Sequence, residues 1–160
     1  MNHLSLLSRV AGAHAKRLQP EALLSALGSA VQEAIGYRLF TVLVHDAEAG
    51  LMRRIYSTRP DINPVGGSKP VTDSDWMKQV LVRGEPYIGY TADDLKTVFF
   101  DHEILASIGC GSVLNMPVVW SGTVLGSLNM LHQEGWYNET HLPMARLFAQ
   151  LAAPGLMRTA

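Results

Sequence analysis

The chain has 160 residues, of which 48% are hydrophobic and 17% are charged, so its composition excludes a disordered chain and predicts a compact fold. Thirteen Lys and Arg residues against 14 Asp and Glu residues give a formal net charge of -1, which favours neither nucleic acid nor an anionic membrane as partner. One cysteine excludes an internal disulfide, and without a membrane-spanning run or signal-peptide pattern we expect a cytoplasmic protein.

Two amphipathic helices are predicted at the start of the chain. The first covers residues 1–19, and its apolar stripe follows helical spacing at Leu4, Leu7, Ala11, His14 and Leu18. Pro20 is typical of a first helical turn, and the second stripe consists of Leu24, Leu27, Val31 and Ala34 before the stop at Gly36. We expect residues 20–160 to form a single domain behind the first helix.

The middle of the chain alternates short strands, loops and short helices. A hairpin is predicted from LFTVLVH and LMRRIYS around the turn DAEAG, and an irregular loop from Thr58 to Val71. Thr72 and Asp75 have capping-box spacing and predict a helix that ends at Gly84. PYIGY predicts an edge strand, and a helical region follows with caps at Thr91 and Asp101 and an end at Gly109.

The last third of the sequence predicts a hairpin and a closing helix. Strands at 112–120 and 123–132 flank a tight turn at Ser121-Gly122. If that turn fixes the register, Asn115 faces Leu128 and Gly126 faces Pro117, so that Asn115 and Asn129 lie on opposite faces. The closing helix has its apolar stripe at Met144, Leu147, Phe148, Leu151, Ala152 and Leu156, and we expect Pro154 to bend or end it.

This order of elements predicts an α+β domain with a mostly antiparallel sheet. The run SVLNMPVVWSGTVLGSLNML, followed by Tyr137-Asn138-Glu139 and the closing helix, resembles the C-terminal half of GAF domains. The resemblance covers about residues 20–156. It implies a GAF-like, PAS-related fold with the terminal helices on one face of the sheet and the middle helices and loops on the other. It also implies a small-molecule pocket under the middle segments, and a homodimer formed through the terminal helices.

The ligand-binding candidates come from those middle segments and from the strand that follows them. Asn115 is a candidate because an amide in an apolar strand must find a hydrogen-bond partner. The GGSKP segment at 66–70 lacks the spacing of a phosphate-binding loop, so a flexible loop beside the pocket is the interpretation we favour. The full candidate set is Trp76, Tyr90, Phe99, Asp101, His102, Cys110 and Asn115.

No catalytic residue is assigned, and Cys110 and His102 are the weak candidates. Cys110 is predicted beyond the C-terminal end of a helix, where the helix dipole opposes a thiolate, so a packing role is favoured. Successive residues of a helix point about 100° apart, so Asp101, His102 and Glu103 do not converge on one ion. We therefore expect no metal and no cofactor.

The leading hypothesis is a sensory or regulatory GAF-type module that binds an unknown small molecule and has no output domain of its own. The alternative is a small GAF-fold enzyme with Cys110 as nucleophile and His102 as helper. It would be a thiol-dependent reductase of the free methionine sulfoxide type or a small-molecule hydrolase. A third hypothesis is an interaction module with a filled interior.

Overall fold

The structure is a computed structural model that describes residues 2–159. Its strands are β1 (Leu39–Asp46), β2 (Leu51–Ser57), β3 (Ser68–Pro70), β4 (Tyr87–Gly89), β5 (Ser112–Trp120) and β6 (Thr123–His132). Its helices are α1 (His3–Ala13), α2 (Glu21–Ala34), α3 (Asp75–Met77), α4 (Ala92–Val98), α5 (His102–Ser107) and α6 (Leu142–Thr159). A π-helical turn covers Lys78–Val82, and a 3-10 turn covers Glu139–His141.

All six strands belong to one sheet in the order β3-β2-β1-β6-β5-β4, and every neighbouring pair is antiparallel. The predicted α+β fold is therefore confirmed. Both hairpins, β1–β2 and β5–β6, form where the sequence predicted them. β4 lies at the edge of the sheet, a position that suits Pro86 just before it because proline has no N–H to donate.

The two faces of the sheet are covered by different parts of the chain. The terminal helices α1, α2 and α6 cover one face and enclose the largest hydrophobic core together with Phe40, Val42, Val44, Leu128 and Met130 of the central strands. The middle segments cover the other face in two smaller clusters, one around Leu39 and Leu131 and one around Leu43 and Met52. This arrangement of helices and middle segments is the one that the sequence predicted.

Two β-bulges decide which side chains reach each face. In β2, Arg54 lies opposite Leu43 and Tyr56 lies opposite Val42, so Ile55 is an extra residue. Residues 54 and 56 of a regular strand would share a face, whereas this bulge sends Arg54 towards the middle segments and Tyr56 towards the helices. A bulge can therefore present a charged side chain inside an otherwise apolar hairpin.

The second bulge corrects the predicted register of β5 and β6. Val119 lies opposite Val124 as predicted, but Leu125 is an extra residue, and Asn115 consequently lies opposite Asn129. The prediction that the two asparagines lie on opposite faces was wrong. The turn fixes the register only as far as the first bulge, and a slip of one residue exchanges the two faces.

The apolar stripe predicted for the first helix was also wrong. α1 buries Leu6, Val10 and Ala13, while Leu4 is 74% exposed and Leu18, beyond the helix, is 79% exposed. The predicted stripe and the observed stripe both have helical spacing, and packing against α2 and α6 selects the one that contains Leu6 and Val10. The buried stripe therefore depends on the partner helices rather than on spacing alone.

Pro154 does not end the closing helix. α6 runs through it to Thr159, and Leu156 beyond the proline is fully buried in the core, so packing offsets the hydrogen bond that proline cannot donate. The loop predicted from 58 to 71 contains the three-residue edge strand β3, which pairs with β2.

Two of the predicted helix caps differ in the structure. Ser74, rather than Thr72, caps α3, because its hydroxyl oxygen accepts the Met77 N–H. Asp101 precedes α5 but makes no capping hydrogen bond with its side chain. Thr91 caps α4 in a complete capping box, as predicted.

Gly126 of β6 provides a test of how the sheet packs against α6. A Cβ atom there would lie 2.0 Å from the Leu43 carbonyl oxygen and 2.8 Å from a methyl group of Leu156. We expect Gly126→Ala to lower the free energy of unfolding by about 2 kcal/mol or more, because overpacking typically costs about 1–3 kcal/mol. Urea denaturation measures the change.

The matched control for this substitution is Gly12→Ala in α1. Nothing lies within 4 Å of a Cβ at Gly12, and alanine stabilises a helix interior by about 0.5–1 kcal/mol relative to glycine. Equal stabilities for the two variants would contradict the crowding of Gly126 between the Leu43 carbonyl of β1 and Leu156 of α6.

Candidate functional site

A cavity of about 560 Å³ lies between the sheet and the middle segments. Its floor is formed by side chains of β1 and β6 that point away from the terminal helices, namely Leu39, Thr41, Leu43, Asn129 and Leu131. Its walls come from the loop and strand at 62–70, from the start of α3, and from residues 97–105. The volume lies within the range of about 300–1,000 Å³ that is typical of small-molecule sites.

A line of hydrogen bonds joins the wall of this cavity to its floor. The indole N–H of Trp76 donates to Asn115 Oδ1 at 3.0 Å, and Asn115 Nδ2 donates to Asn129 Oδ1 at 2.8 Å. Asn129 Nδ2 in turn reaches Thr41 Oγ1 at 3.4 Å. Asn115 is only 2% exposed and uses both ends of its amide, so it fixes the positions of Trp76 and Asn129.

Arg54 and Lys69 bring two positive charges to the same cavity. The Arg54 guanidinium donates from Nη1 to the Pro64 carbonyl at 3.1 Å. Its Nε is buried and has no hydrogen-bond partner among residues 2–159. Burial lowers the pKa of Arg54, and the negative charge of Asp101 partly opposes this. A Cβ at Gly67 would lie 2.7 Å from Arg54 Nη1, so this glycine leaves room for the guanidinium.

The Lys69 ammonium lies over two aromatic rings. Nζ is 4.9 Å from the centroid of the Trp76 ring and 5.4 Å from that of Phe99, both within the reach of a cation–π interaction. Burial lowers the pKa of Lys69 to about 8, Asp101 opposes the change, and Arg54 adds to it. Lys69 forms no salt bridge within the described part of the chain.

The structure brings together three of the seven ligand-binding candidates. Trp76, Phe99 and Asp101 line the cavity, and the rings of Trp76 and Phe99 meet edge to face at 5.3 Å. Asn115 lies beneath Trp76 and borders a separate void of about 20 Å³.

The other three candidates, Tyr90, His102 and Cys110, do not line the cavity. Tyr90 follows β4, is 41% exposed, and donates its hydroxyl to the Glu139 carboxylate. His102 is the first residue of α5.

Cys110 lies in a hydrophobic environment just after α5. It is 4% exposed and packs in a cluster with Leu39, Leu95, Leu105, Val113 and Leu131. Burial raises the pKa of the thiol to about 11, and the charges of Arg38 and Arg59 only partly oppose this. A nucleophilic cysteine needs a lowered pKa, so this environment favours packing over catalysis.

The candidate set omitted several polar residues that line the cavity, among them Thr41, Arg54, Lys69 and Asn129. The adjacent arginines inside LMRRIYS were a signal, because a charged side chain in an apolar strand requires a special environment. Asn129 carried the same signal as Asn115. Lys69 was visible in GGSKP, but nothing in the local pattern placed it against Trp76.

Residues 2–159 contain neither a cluster of metal-binding side chains nor a helix that could span a membrane. No group of three or more His, Cys, Asp or Glu side chains between residues 2 and 159 is placed to hold a metal ion. Over that range, every helix is too short or too polar to cross a bilayer.

The environment of Cys110 predicts a slow reaction with iodoacetamide. A rise in pKa from 9.0 to about 11 lowers the thiolate fraction at mildly alkaline pH by about a hundredfold, and burial slows access further. We expect the native protein to alkylate at least about a hundredfold more slowly than the protein in denaturant, as measured by mass spectrometry over time. Similar rates in the two states would contradict both the burial and the raised pKa of the thiol.

Comparison with known proteins places this geometry in a family. The model that describes the GAF domain matches residues 18–157. A search of curated protein sequences gave no significant match. Among solved structures, the GAF domain of a phosphoenolpyruvate-protein phosphotransferase from Acinetobacter is similar, with a TM-score of 0.77 and 16% identity over 98% of this chain and 94% of that chain.

Two further solved structures show the same likeness. The GAF domain of a phosphoenolpyruvate-protein phosphotransferase from Coxiella burnetii gives a TM-score of 0.77 and 17% identity, covering 99% of this chain and 95% of that chain. The phycocyanobilin-bound GAF domain of a cyanobacterial phytochrome gives a TM-score of 0.74 and 16% identity, covering 99% of this chain and 96% of that chain. These identities establish the fold alone, but the family model spans most of the sequence. The chain therefore belongs to the GAF domain family.

Proposed function

We propose that this protein is a sensory or regulatory module that binds a small molecule in the cavity of about 560 Å³. The cavity is the observation that carries the proposal. It combines apolar walls with a few polar groups of fixed position, which is the usual composition of a small-molecule site. It also argues against an interaction module with a filled interior.

The family supports the same role. GAF domains are in general sensory, ligand-binding modules, and the similar cyanobacterial domain is bound to phycocyanobilin. One fold hosts many ligands, so the chemistry of the site rather than the family must identify this one.

A second part of the proposal is a homodimer formed through the terminal helices. Leu4 of α1 and Leu147 and Met157 of α6 are exposed apolar side chains on these helices. Contact between these side chains and a second copy of the chain would bury apolar surface, which favours association. Dimerisation would give a module of this kind a means of passing on a ligand signal.

The cavity proposal predicts that a small molecule accompanies the protein. Native mass spectrometry of freshly purified protein is expected to show one bound compound, which denaturation releases for identification. Leu43→Phe should weaken this binding, because Leu43 lines the floor and the larger ring extends into the cavity. Leu18→Phe makes the same change at an exposed position beyond α1 and should leave binding intact.

A thermal-shift screen with a broad metabolite library completes this test. A compound at one hundred times its dissociation constant stabilises the folded state by about 2.7 kcal/mol, so a specific ligand raises the melting temperature. An empty native spectrum together with no stabilising compound would contradict the proposal.

The dimer proposal predicts association that depends on concentration. Sedimentation velocity should show a dimer for the native chain and a monomer for Leu4→Glu, since a charge at that position would be buried without a partner. Val82→Glu is the matched control, because Val82 is equally exposed but lies in the π-helical turn of the middle segments. A native chain that stays monomeric at high concentration would contradict the dimer.

A further inference from the structure

We propose that the cavity takes a small organic anion, whose acidic group binds between Arg54 and Lys69 and whose apolar body lies against Trp76 and Phe99. This inference rests on the proposed function and adds the chemical class of the ligand. The acidic group is a carboxylate or a phosphate, since both accept hydrogen bonds from Arg and Lys.

The two cations reach the cavity from neighbouring strands. Lys69 of β3 lies opposite Met52 of β2, two residues before Arg54. The backbone N–H of Arg54 also donates to the Gly67 carbonyl at 2.8 Å, and this hydrogen bond joins the two segments just before β3. The bulge at Ile55 directs Arg54 to this face of the sheet, so the local backbone is shaped to present the guanidinium here.

The protein itself does not neutralise these charges by contact. Neither Arg54 nor Lys69 forms a salt bridge among residues 2–159, and Arg54 Nε is buried without an acceptor. Both side chains are half-buried, and a cation that is partly removed from water is normally paired, because its desolvation is costly. An anionic ligand would supply the missing acceptor and would recover part of that cost.

The rest of the lining fits the body of such a ligand. Trp76 is held by its hydrogen bond to Asn115 and meets Phe99 edge to face, so the two rings form a rigid aromatic wall. On the floor, Asn129 Nδ2 makes only long contacts of 3.4 Å, to Thr41 Oγ1 and to the Ser127 carbonyl. This amide therefore has a donor to offer to an acceptor on the ligand.

Asp101 acts against the anion. It is the single carboxylate among the lining residues, and its charge opposes the pKa shifts of both Arg54 and Lys69. Removing its charge is therefore expected to strengthen anion binding. Asp101 makes no side-chain cap on α5, so Asp101→Asn should be tolerated by the fold.

The test compares acids with neutral compounds that have the same apolar body. The probes are benzoate against benzamide, indole-3-acetate against indole-3-acetamide, and phenyl phosphate against phenol, with inorganic phosphate as the bare anion. Calorimetry and melting temperature are measured on the whole protein. The acids should bind and stabilise the protein, and the neutral partners should bind at least roughly tenfold more weakly, because each charged hydrogen bond adds appreciable affinity.

Three variants test whether the acids bind at the proposed place. Lys69→Met should lower the affinity for the acids by roughly tenfold or more, and Asp101→Asn should raise it. Lys78→Met is the control, because Lys78 pairs with Asp73 at 3.0 Å and does not line the cavity. Lys69→Met without a probe should melt at the same temperature as the native chain or higher, since it removes an unneutralised charge, and this also shows that the variant folds.

Acid binding should also depend on pH through Lys69. Lys69 is positively charged below its pKa of about 8 and neutral above it, while the guanidinium of Arg54 keeps its charge. Asp101 also lines the cavity, and its charge acts on Lys69. The affinity for benzoate should therefore be constant below this pKa and fall as the pH rises through it. Lys69→Met should abolish this dependence.

The inference is overturned if the amides bind as tightly as the acids, or if Lys69→Met binds the acids like the native chain. It is also overturned if no acid binds at millimolar concentration. A neutral compound found in the native mass spectrum would in that case preserve the proposed function and reject only the anion. An empty spectrum with no stabilising compound would reject both.

Discussion

Side chains of β1 point alternately to the two faces of the sheet, and this alternation separates the core under the terminal helices from the cavity under the middle segments. Phe40 and Val42 enter a core that the terminal helices close completely, whereas Thr41 and Leu43 face the middle segments. Those segments are short helices and loops that fill only part of the space above the sheet, so a cavity remains. The same constraint acts on β6, where Gly126 leaves room for α6 on the closed face. The closely packed face thus holds in place the strands that line the open one.

The chemistry of the open face depends on two positive charges that form no salt bridge within residues 2–159. Arg54 is held by a backbone carbonyl, and Lys69 lies over two aromatic rings. These contacts stabilise a cation less well than a carboxylate in contact would. Sites of this kind often reduce the stability of the unliganded protein and recover it on binding. The polar line from Trp76 through Asn115 holds the aromatic wall in position. Burial raises the pKa of the Cys110 thiol, in contrast, and this favours a packing role over nucleophilic catalysis.

Local signals in the sequence were sufficient for most elements of the fold. The turn at Gly122 and the apolar runs on either side of it gave the bounds of β5 and β6, and the element order gave the α+β class. The bulges at Ile55 and Leu125 have no comparable signature, because each depends on strand pairing across the sheet. Consequently the facing of Arg54 and the pairing of Asn115 with Asn129 were not predictable. The cavity also joins residues far apart in sequence, so only its aromatic wall and Asp101 were anticipated.

A crystal structure of the protein with the most strongly stabilising acid tests the central claim most directly. The account predicts electron density for the acid in the cavity, with its charged oxygens within hydrogen-bond distance of Arg54 and Lys69 and its body against the Trp76 ring. Density for the acid elsewhere on the protein would contradict the account. So would a cavity that contains only water at ligand concentrations that saturate binding in solution.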